Sequence, residues 1–262
     1  MNIARLIAKY EEKGFSREKA EINALMENAI FAIFRDFPDA FLLFGGATLV
    51  LFHESVRHSA DLDLLARGTS LPSLDELIDT VKRDLSPIAQ ALQFGDLQFE
   101  TIGVEGQEGS IFVTETSDRK LFRIDLTKFG SAIESEIETR SVEAPLGASV
   151  LIKSATKELL LLQKAEAFLL RRIVKARDAY DIHVLLEKGA ALNSNLRAHL
   201  ADAIHANEID GAAISERLSQ IDTERCRVEL GPVLPPEVYL PLEEKQFATL
   251  RNAAATLYEE WL

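Results

Sequence analysis

The chain is poor in cysteine, in long apolar runs and in positive charge. Cys226 is the one cysteine among 262 residues, which excludes an intramolecular disulfide framework and a cysteine-based zinc cluster and fits a reducing compartment. The expected location is the cytoplasm. The longest uncharged apolar run, 40–52, is too short to span a bilayer. Around Arg5, Lys9, Glu11 and Glu12 the charges are mixed, without the apolar core of a secretory leader. No membrane role is expected. Lys and Arg number 29 against 42 Asp and Glu, a formal charge of −13, which argues against a protein that coats nucleic acid through a broad basic face. Gly-x4-Gly-Lys-Ser/Thr, Gly-x-Gly-x-x-Gly, His-Glu-x-x-His and Gly-x-Ser-x-Gly are all missing, and His53, His58, His183, His199 and His205 show no metal-ligand spacing with a cysteine. Hydrolase and redox readings therefore have no anchor.

What is present centres on residues 41–65, FLLFGGATLVLFHESVRHSADLDLL. The stretch reads as a buried strand (41–44), a turn at Gly45-Gly46, a short apolar helix, and a second strand carrying Asp61 and Asp63. Side chains alternate across a strand, so these two carboxylates share a face, a geometry that suits a divalent metal. A glycine pair admits close approach of a ligand to the backbone, and the helix that follows offers N–H groups to phosphate.

In chain order, a short helix over 1–13 ends at Gly14. Ser16 caps a second helix to about Phe37, with Ile22, Leu25, Met26, Ala29, Ile30 and Ile33 inward. A loop at 67–70 precedes a helix over 72–92 that Pro87 is expected to kink or end. Alternating, β-branched segments in 97–126 predict three strands, the last with Asp125 between Ile124 and Leu126. Residues 130–147 read as a linker, which places a domain boundary there: 1–147, a small mixed sheet flanked by helices, and 148–262, mainly helical. The fold class is α+β. Thr156 caps a helix from Lys157, and Pro232, Pro235 and Pro236 interrupt the helical pattern in 226–239. Phe247, Leu250, Ala254, Leu257 and Trp261 line one side of an amphipathic 243–262. Residues 153–177 hold seven cations against Glu158 and Glu166, either a solvated helix face or a phosphate-binding surface.

Phe44-Gly45-Gly46, a spacer 47–60 slightly longer than usual, and Asp61-Leu62-Asp63 resemble the first motif of the polymerase-beta-like nucleotidyltransferases. More narrowly, this stretch with Arg57-His58-Ser59-Ala60, together with KAEAFLLRRIVKARDAYDIHVLL at 164–186, resembles the AbiEii/AbiGii nucleotidyltransferase toxins. In the second motif Lys164, Arg177, Asp178, Tyr180 and Asp181 fall on matching positions, with Ile182 where the family has leucine. The resemblance implies an enzyme that transfers a nucleoside monophosphate from an NTP to an acceptor hydroxyl and releases pyrophosphate. It implies Asp61 and Asp63 as ligands of Mg2+ or Mn2+, and Asp125 as the third carboxylate, serving a second metal or taking the hydroxyl proton. Lys164 would neutralise the triphosphate and Asp178 would belong to the active site. Gly45, Gly46, Ser59 and, more weakly, Arg57 are the remaining nucleotide-binding candidates, and His58 is read as structural. A tRNA end is the acceptor that related toxins suggest, and an antitoxin is the implied partner.

Two alternatives stay open. The same chemistry with a small-molecule or protein hydroxyl as acceptor suits the −13 charge, and a non-catalytic nucleotide-binding module would keep the fold without the reaction. One expectation tests fold and function together. Fourteen residues on an unbroken helix would part Lys164 and Asp178 by about 21 Å, so a shared site requires a break between Leu170 and Ala176.

Overall fold

The computed structural model describes residues 3–67, 71–105, 108–128, 135–143 and 149–262. Two compact units divide the chain, Met1–Ala155 and Thr156–Leu262. Among the described residues no helix is long and apolar enough to cross a membrane.

The first unit begins with α1 (Ile3–Glu12) and α2 (Arg17–Asp36), the latter capped by the Ser16 hydroxyl, which accepts from the Lys19 amide. There follow β1 (Phe41–Phe44), α3 (Gly45–Phe52), β2 (Asp61–Ala66) and α4 (Leu74–Ala91). Five further strands complete the unit: β3 (Gln98–Glu105), β4 (Glu108–Thr114), β5 (Lys120–Lys128), β6 (Ile137–Glu143) and β7 (Ser149–Ala155). All seven strands form one sheet in the order β3-β4-β5-β2-β1-β7-β6. β2 runs parallel to β5 and β1 parallel to β7, and the remaining pairs are antiparallel. Mixed sheets of this kind need crossover connections, which here run through the helices and long loops.

Alternation in β2 decides what each face does. Leu62, Leu64 and Ala66 are buried while Asp61 and Asp63 are half-buried, so the apolar set joins Ile124, Leu126, Ile111 and Val113 in the core that α2 and α4 cover. The acids are left on the opposite face. Ser73 and Glu76 form a capping box at the start of α4.

Several sequence expectations change here. Residues 130–147 are not simply a linker, because β6 lies within them, and the apolar stretch after them is β7, paired with β6 and β1. The compact units therefore meet after Ala155 rather than after Gly147, and the sheet is larger than expected. The physical reason is register: β7 alternates buried Val150 and Ile152 with exposed Leu151, a period of two that only a sheet with one covered face exploits. Pro87 does not end α4, which continues to Ala91, since a proline near a helix end removes one hydrogen bond while packing of Leu85 and Ala89 persists. Gly45 and Gly46 open α3 directly. Residues 68–70 of the expected loop and parts of the expected linker lie outside the described residues.

The second unit is helical: α5 (Lys157–Leu170), α6 (Ala176–Glu187), α7 (Ser194–Ala206), α8 (Gly211–Ser219), α9 (Thr223–Leu230), α10 (Pro236–Glu244) and α11 (Ala248–Leu257). Thr156 caps α5 by accepting from the Leu159 amide at 3.2 Å. Cys226 sits inside α9, so the proline interruption is confined to the segment between α9 and α10. Phe247, Leu250, Ala254 and Leu257 are buried, as the amphipathic pattern requires, whereas Trp261 is half-buried.

Candidate active site

In the first unit the site is a property of two parallel strands. Asp61 pairs with Arg123 and Asp63 with Asp125 in register, so all four side chains project from the same face of the sheet. β4 adds Ser110 opposite Asp125 and Phe112 opposite Arg123. The Ser110 hydroxyl donates to Asp125 Oδ1 at 2.6 Å. Arg123 Nη2 lies 2.7 Å from Asp125 Oδ2 and 3.2 Å from Asp61 Oδ1. Its guanidinium stands 5.8 Å from the centroid of the Phe112 ring, within cation–π range.

Asp63 lies against the start of α3, because β1 and β2 pair Phe44 with Asp63. Gly45 has φ +67°, and a Cβ there would fall 1.8 Å from Asp63 Oδ2. Both the backbone conformation and the close approach demand glycine. A Cβ on Gly46 would lie 2.5 Å from Ser59 Oγ and 3.0 Å from Arg57 Nη2, so the second glycine makes room for the two polar side chains ahead of β2. Arg57 is buried, and its Nη1 donates to the His58 carbonyl at 3.2 Å. Ser59 is also buried, with its hydroxyl 3.4 Å from the Asp61 carbonyl oxygen.

His58 is half-buried, with Asn23 and Phe15 against the ring. Asn23 Nδ2 donates to the Lys19 carbonyl at 2.9 Å and lies 3.2 Å from His58 Nδ1, and the Phe15 ring meets the imidazole edge-on. Burial, with help from Lys19 and Arg57, pushes the His58 pKa down to about 4.

In the second unit α5 ends at Leu170 and α6 begins at Ala176, the break that a shared role for Lys164 and Asp178 requires. Arg217 Nη1 donates to the carbonyls of Phe168 and Arg171 at 3.1 and 3.0 Å, Arg225 donates to the Val174 carbonyl, and Glu229 Oε2 accepts from the Ala176 amide at 2.8 Å. These side chains, from α8 and α9, satisfy backbone groups that the break leaves open. Lys164 Nζ then lies 3.0 Å from Asp181 Oδ2 and 3.7 Å from Asp178 Oδ1, and Arg171 Nη1 lies 3.0 Å from Asp178 Oδ2. Lys164, Asp178 and Asp181 are all buried. Neither Asp178 oxygen accepts a well-directed hydrogen bond despite these short ionic distances. Burial raises the Asp178 pKa, and Lys164 and Arg171 pull it partly back.

The basic run 153–177 is not one open surface. Lys153 pairs with Asp39, Lys164 with Asp181, Arg171 with Asp178 and Lys175 with Glu229. In the first unit Arg123 and Ser110, and in the second Arg171 and Asp181, are neighbours to which sequence reasoning assigned no role. Arg123 and Asp125 share the period-two signal, and Asp181 stands three residues from Asp178 on α6. No sequence signal points to Ser110, whose place depends on sheet register.

The donor set fits a hard divalent cation. Three carboxylates project from one face of two adjoining strands, oxygen ligands of the kind Mg2+ takes, and a guanidinium nitrogen already lies between Asp61 and Asp125. Among the described residues no group of three His, Cys, Asp or Glu side chains is gathered closely enough to hold a metal as it stands.

Solved structures with the same fold include a candidate nucleotidyltransferase from H. pylori (18% identity, TM-score 0.60, covering 94% of this chain and 97% of that one). JHP933 from Helicobacter pylori is similar at 17% identity and TM-score 0.58, with 94% of each chain covered. MenT4, a nucleotidyltransferase toxin from Mycobacterium tuberculosis H37Rv, is similar at 15% identity and TM-score 0.53, with 97% of each chain covered. No curated protein matches the sequence. Residues 29–254 match the family described as nucleotidyl transferase AbiEii toxin, type IV TA system, a span that takes in both the paired acids of the sheet and the Lys164 cluster. The chain belongs to the AbiEii nucleotidyltransferase toxin family and is a nucleotidyltransferase enzyme.

Proposed function

We propose that the enzyme transfers a nucleoside monophosphate from an NTP to a hydroxyl at the end of a tRNA, in the presence of Mg2+, and that a cognate antitoxin restrains it in the cytoplasm. The observation that carries the reading is the in-register pairing of Asp63 with Asp125 beside Gly45. Asp61, Asp63 and Asp125 would hold the metal, which when bound neutralises phosphate charge and orients the α-phosphate. The acceptor oxygen forms a bond to the α-phosphorus as the bond to the bridging oxygen of the β-phosphate breaks, and pyrophosphate leaves with that electron pair. Asp125 takes the hydroxyl proton. Its Oδ1 accepts from Ser110 and its Oδ2 faces Arg123, so that exchange requires the guanidinium to move off Oδ2. The α3 N-terminus, with Gly45, Gly46 and the Ser59 hydroxyl, would receive phosphate oxygens, and Arg57 would add charge beside them. Lys164 would neutralise the triphosphate, with Asp181 and Asp178 holding its ammonium group in place.

A second reading has its own support. The −13 charge and the internal pairing of much of the basic run favour a cationic small molecule or a protein hydroxyl over a polyanion. Incubating the protein with each α-labelled NTP, Mg2+ and total RNA separates the two. Label entering tRNA, lost with EDTA and in Asp61→Asn, is the expected result. Label confined to protein or small molecules would replace tRNA as acceptor, and no transfer to any acceptor would leave the binding-module reading.

A further inference from the structure

Arg123 is the cation that bridges Asp61 and Asp125. One nitrogen, Nη2, lies within ion-pair distance of both acids, so the guanidinium is shared between the two rather than committed to one. The Arg123 side chain is 36% exposed, and its Nε is buried without a hydrogen-bond partner. Asp125 keeps an independent partner in Ser110 and stays oriented if the guanidinium moves away. The position between Asp61 and Asp125 is already taken by a positive group.

We propose that Arg123 is a built-in surrogate for the divalent metal, displaced when the metal enters and accepted by the phosphates of the NTP, so that metal and nucleotide bind cooperatively. The proposal rests on the reading of Asp61 and Asp125 as metal ligands. Without nucleotide, metal entry breaks two ion pairs and offers the guanidinium only water. With nucleotide, the displaced side chain gains a polyphosphate as its new anion, a planar donor matched to phosphate oxygens. Linkage makes the effect reciprocal: whatever factor the nucleotide adds to metal affinity, the metal adds to nucleotide affinity. Arg123 thereby becomes the residue that ties metal loading to the presence of substrate.

Mn2+ binding to the full chain, read from the free-ion electron paramagnetic resonance signal, tests this with and without a non-hydrolysable NTP analogue. The wild-type protein is expected to bind Mn2+ alone weakly and about tenfold more tightly with the analogue. Arg123→Gln should bind Mn2+ alone about tenfold more tightly than wild type, and the enhancement by the analogue should shrink by a similar factor. Arg123→Lys, which keeps charge but loses the planar fork, should shift in the same direction by less, and it serves if the glutamine variant does not fold. Unchanged or weaker Mn2+ binding in both folded variants overturns the proposal. Asp61→Asn separates the two readings: if Mn2+ binding survives that change, the carboxylates are not the metal site and the underlying reading fails with it.

Discussion

His58 shows how a single polar contact selects a protonation state. Asn23 Nδ2 already donates to the Lys19 carbonyl, so the amide nitrogen is the atom facing His58 Nδ1, and the ring nitrogen must accept. Only neutral imidazole can do so. With its pKa pushed down to about 4, the folded protein declines a proton that the unfolded chain takes near pH 6.5. Stability is therefore lost as pH falls from about 6.5 to about 4, by up to roughly 3 kcal/mol, and is unaffected by this group above that window. Asp178 works in the opposite direction, since its raised pKa makes protonation at low pH favour the folded state. Urea unfolding of wild type and His58→Gln across this range isolates the histidine, and an identical pH slope in both would sink the assignment. At this scale the carboxylates were legible. Asp61, Asp63 and Asp125 each sit between apolar residues, and alternation alone puts each carboxylate opposite the buried side chains. Arg123 carries the same alternation, but a charge on a strand does not announce its partner until register pairs it with Asp61.

At the scale of elements, the turn between α5 and α6 converts a distance of about four helical turns into an ion cluster. The expectation of a break came from the length of an unbroken helix, not from strong local signals, since the residues there lower helix propensity only modestly. What pins the break, Arg217, Arg225 and Glu229 from later helices, was invisible because these contacts span about fifty residues. The resulting cluster is buried, so removing one member leaves uncompensated charge. Lys164→Met should destabilise the protein by about 3–5 kcal/mol. Lys164→Met combined with Asp178→Asn and Asp181→Asn should recover most of that loss while remaining inactive. Chemical denaturation checks both. A loss below about 1 kcal/mol in the single variant would mean the lysine behaves as a surface group. Loss of activity in Lys164→Met alone says little about catalysis until this stability effect is subtracted.

At the scale of the whole molecule, the strand order explains why the boundary was misplaced. A stretch rich in Ser, Thr and acids beside a short apolar run looks like a linker followed by a new domain. Yet the apolar run is β7, and it covers one side of β1. A fragment ending at Gly147 would leave the Phe41–Phe44 strand with an unpaired edge, a template for association with other chains. A fragment ending at Ala155 keeps that edge paired. Expressed side by side, the shorter piece should aggregate and the longer should remain monodisperse in size-exclusion chromatography; equal behaviour would show that β7 is dispensable to the sheet. The same pairing sets a clock on biosynthesis. Leu43 meets Ser154, so a nascent chain must carry β1 with one edge unsealed while more than a hundred further residues are made, a wait on the order of 10 s at roughly 5–20 residues per second. Folding dominated by such distant partners is intrinsically slow. Both acids of β2 leave the ribosome early in that interval, and the sheet that aims them is closed only at its end.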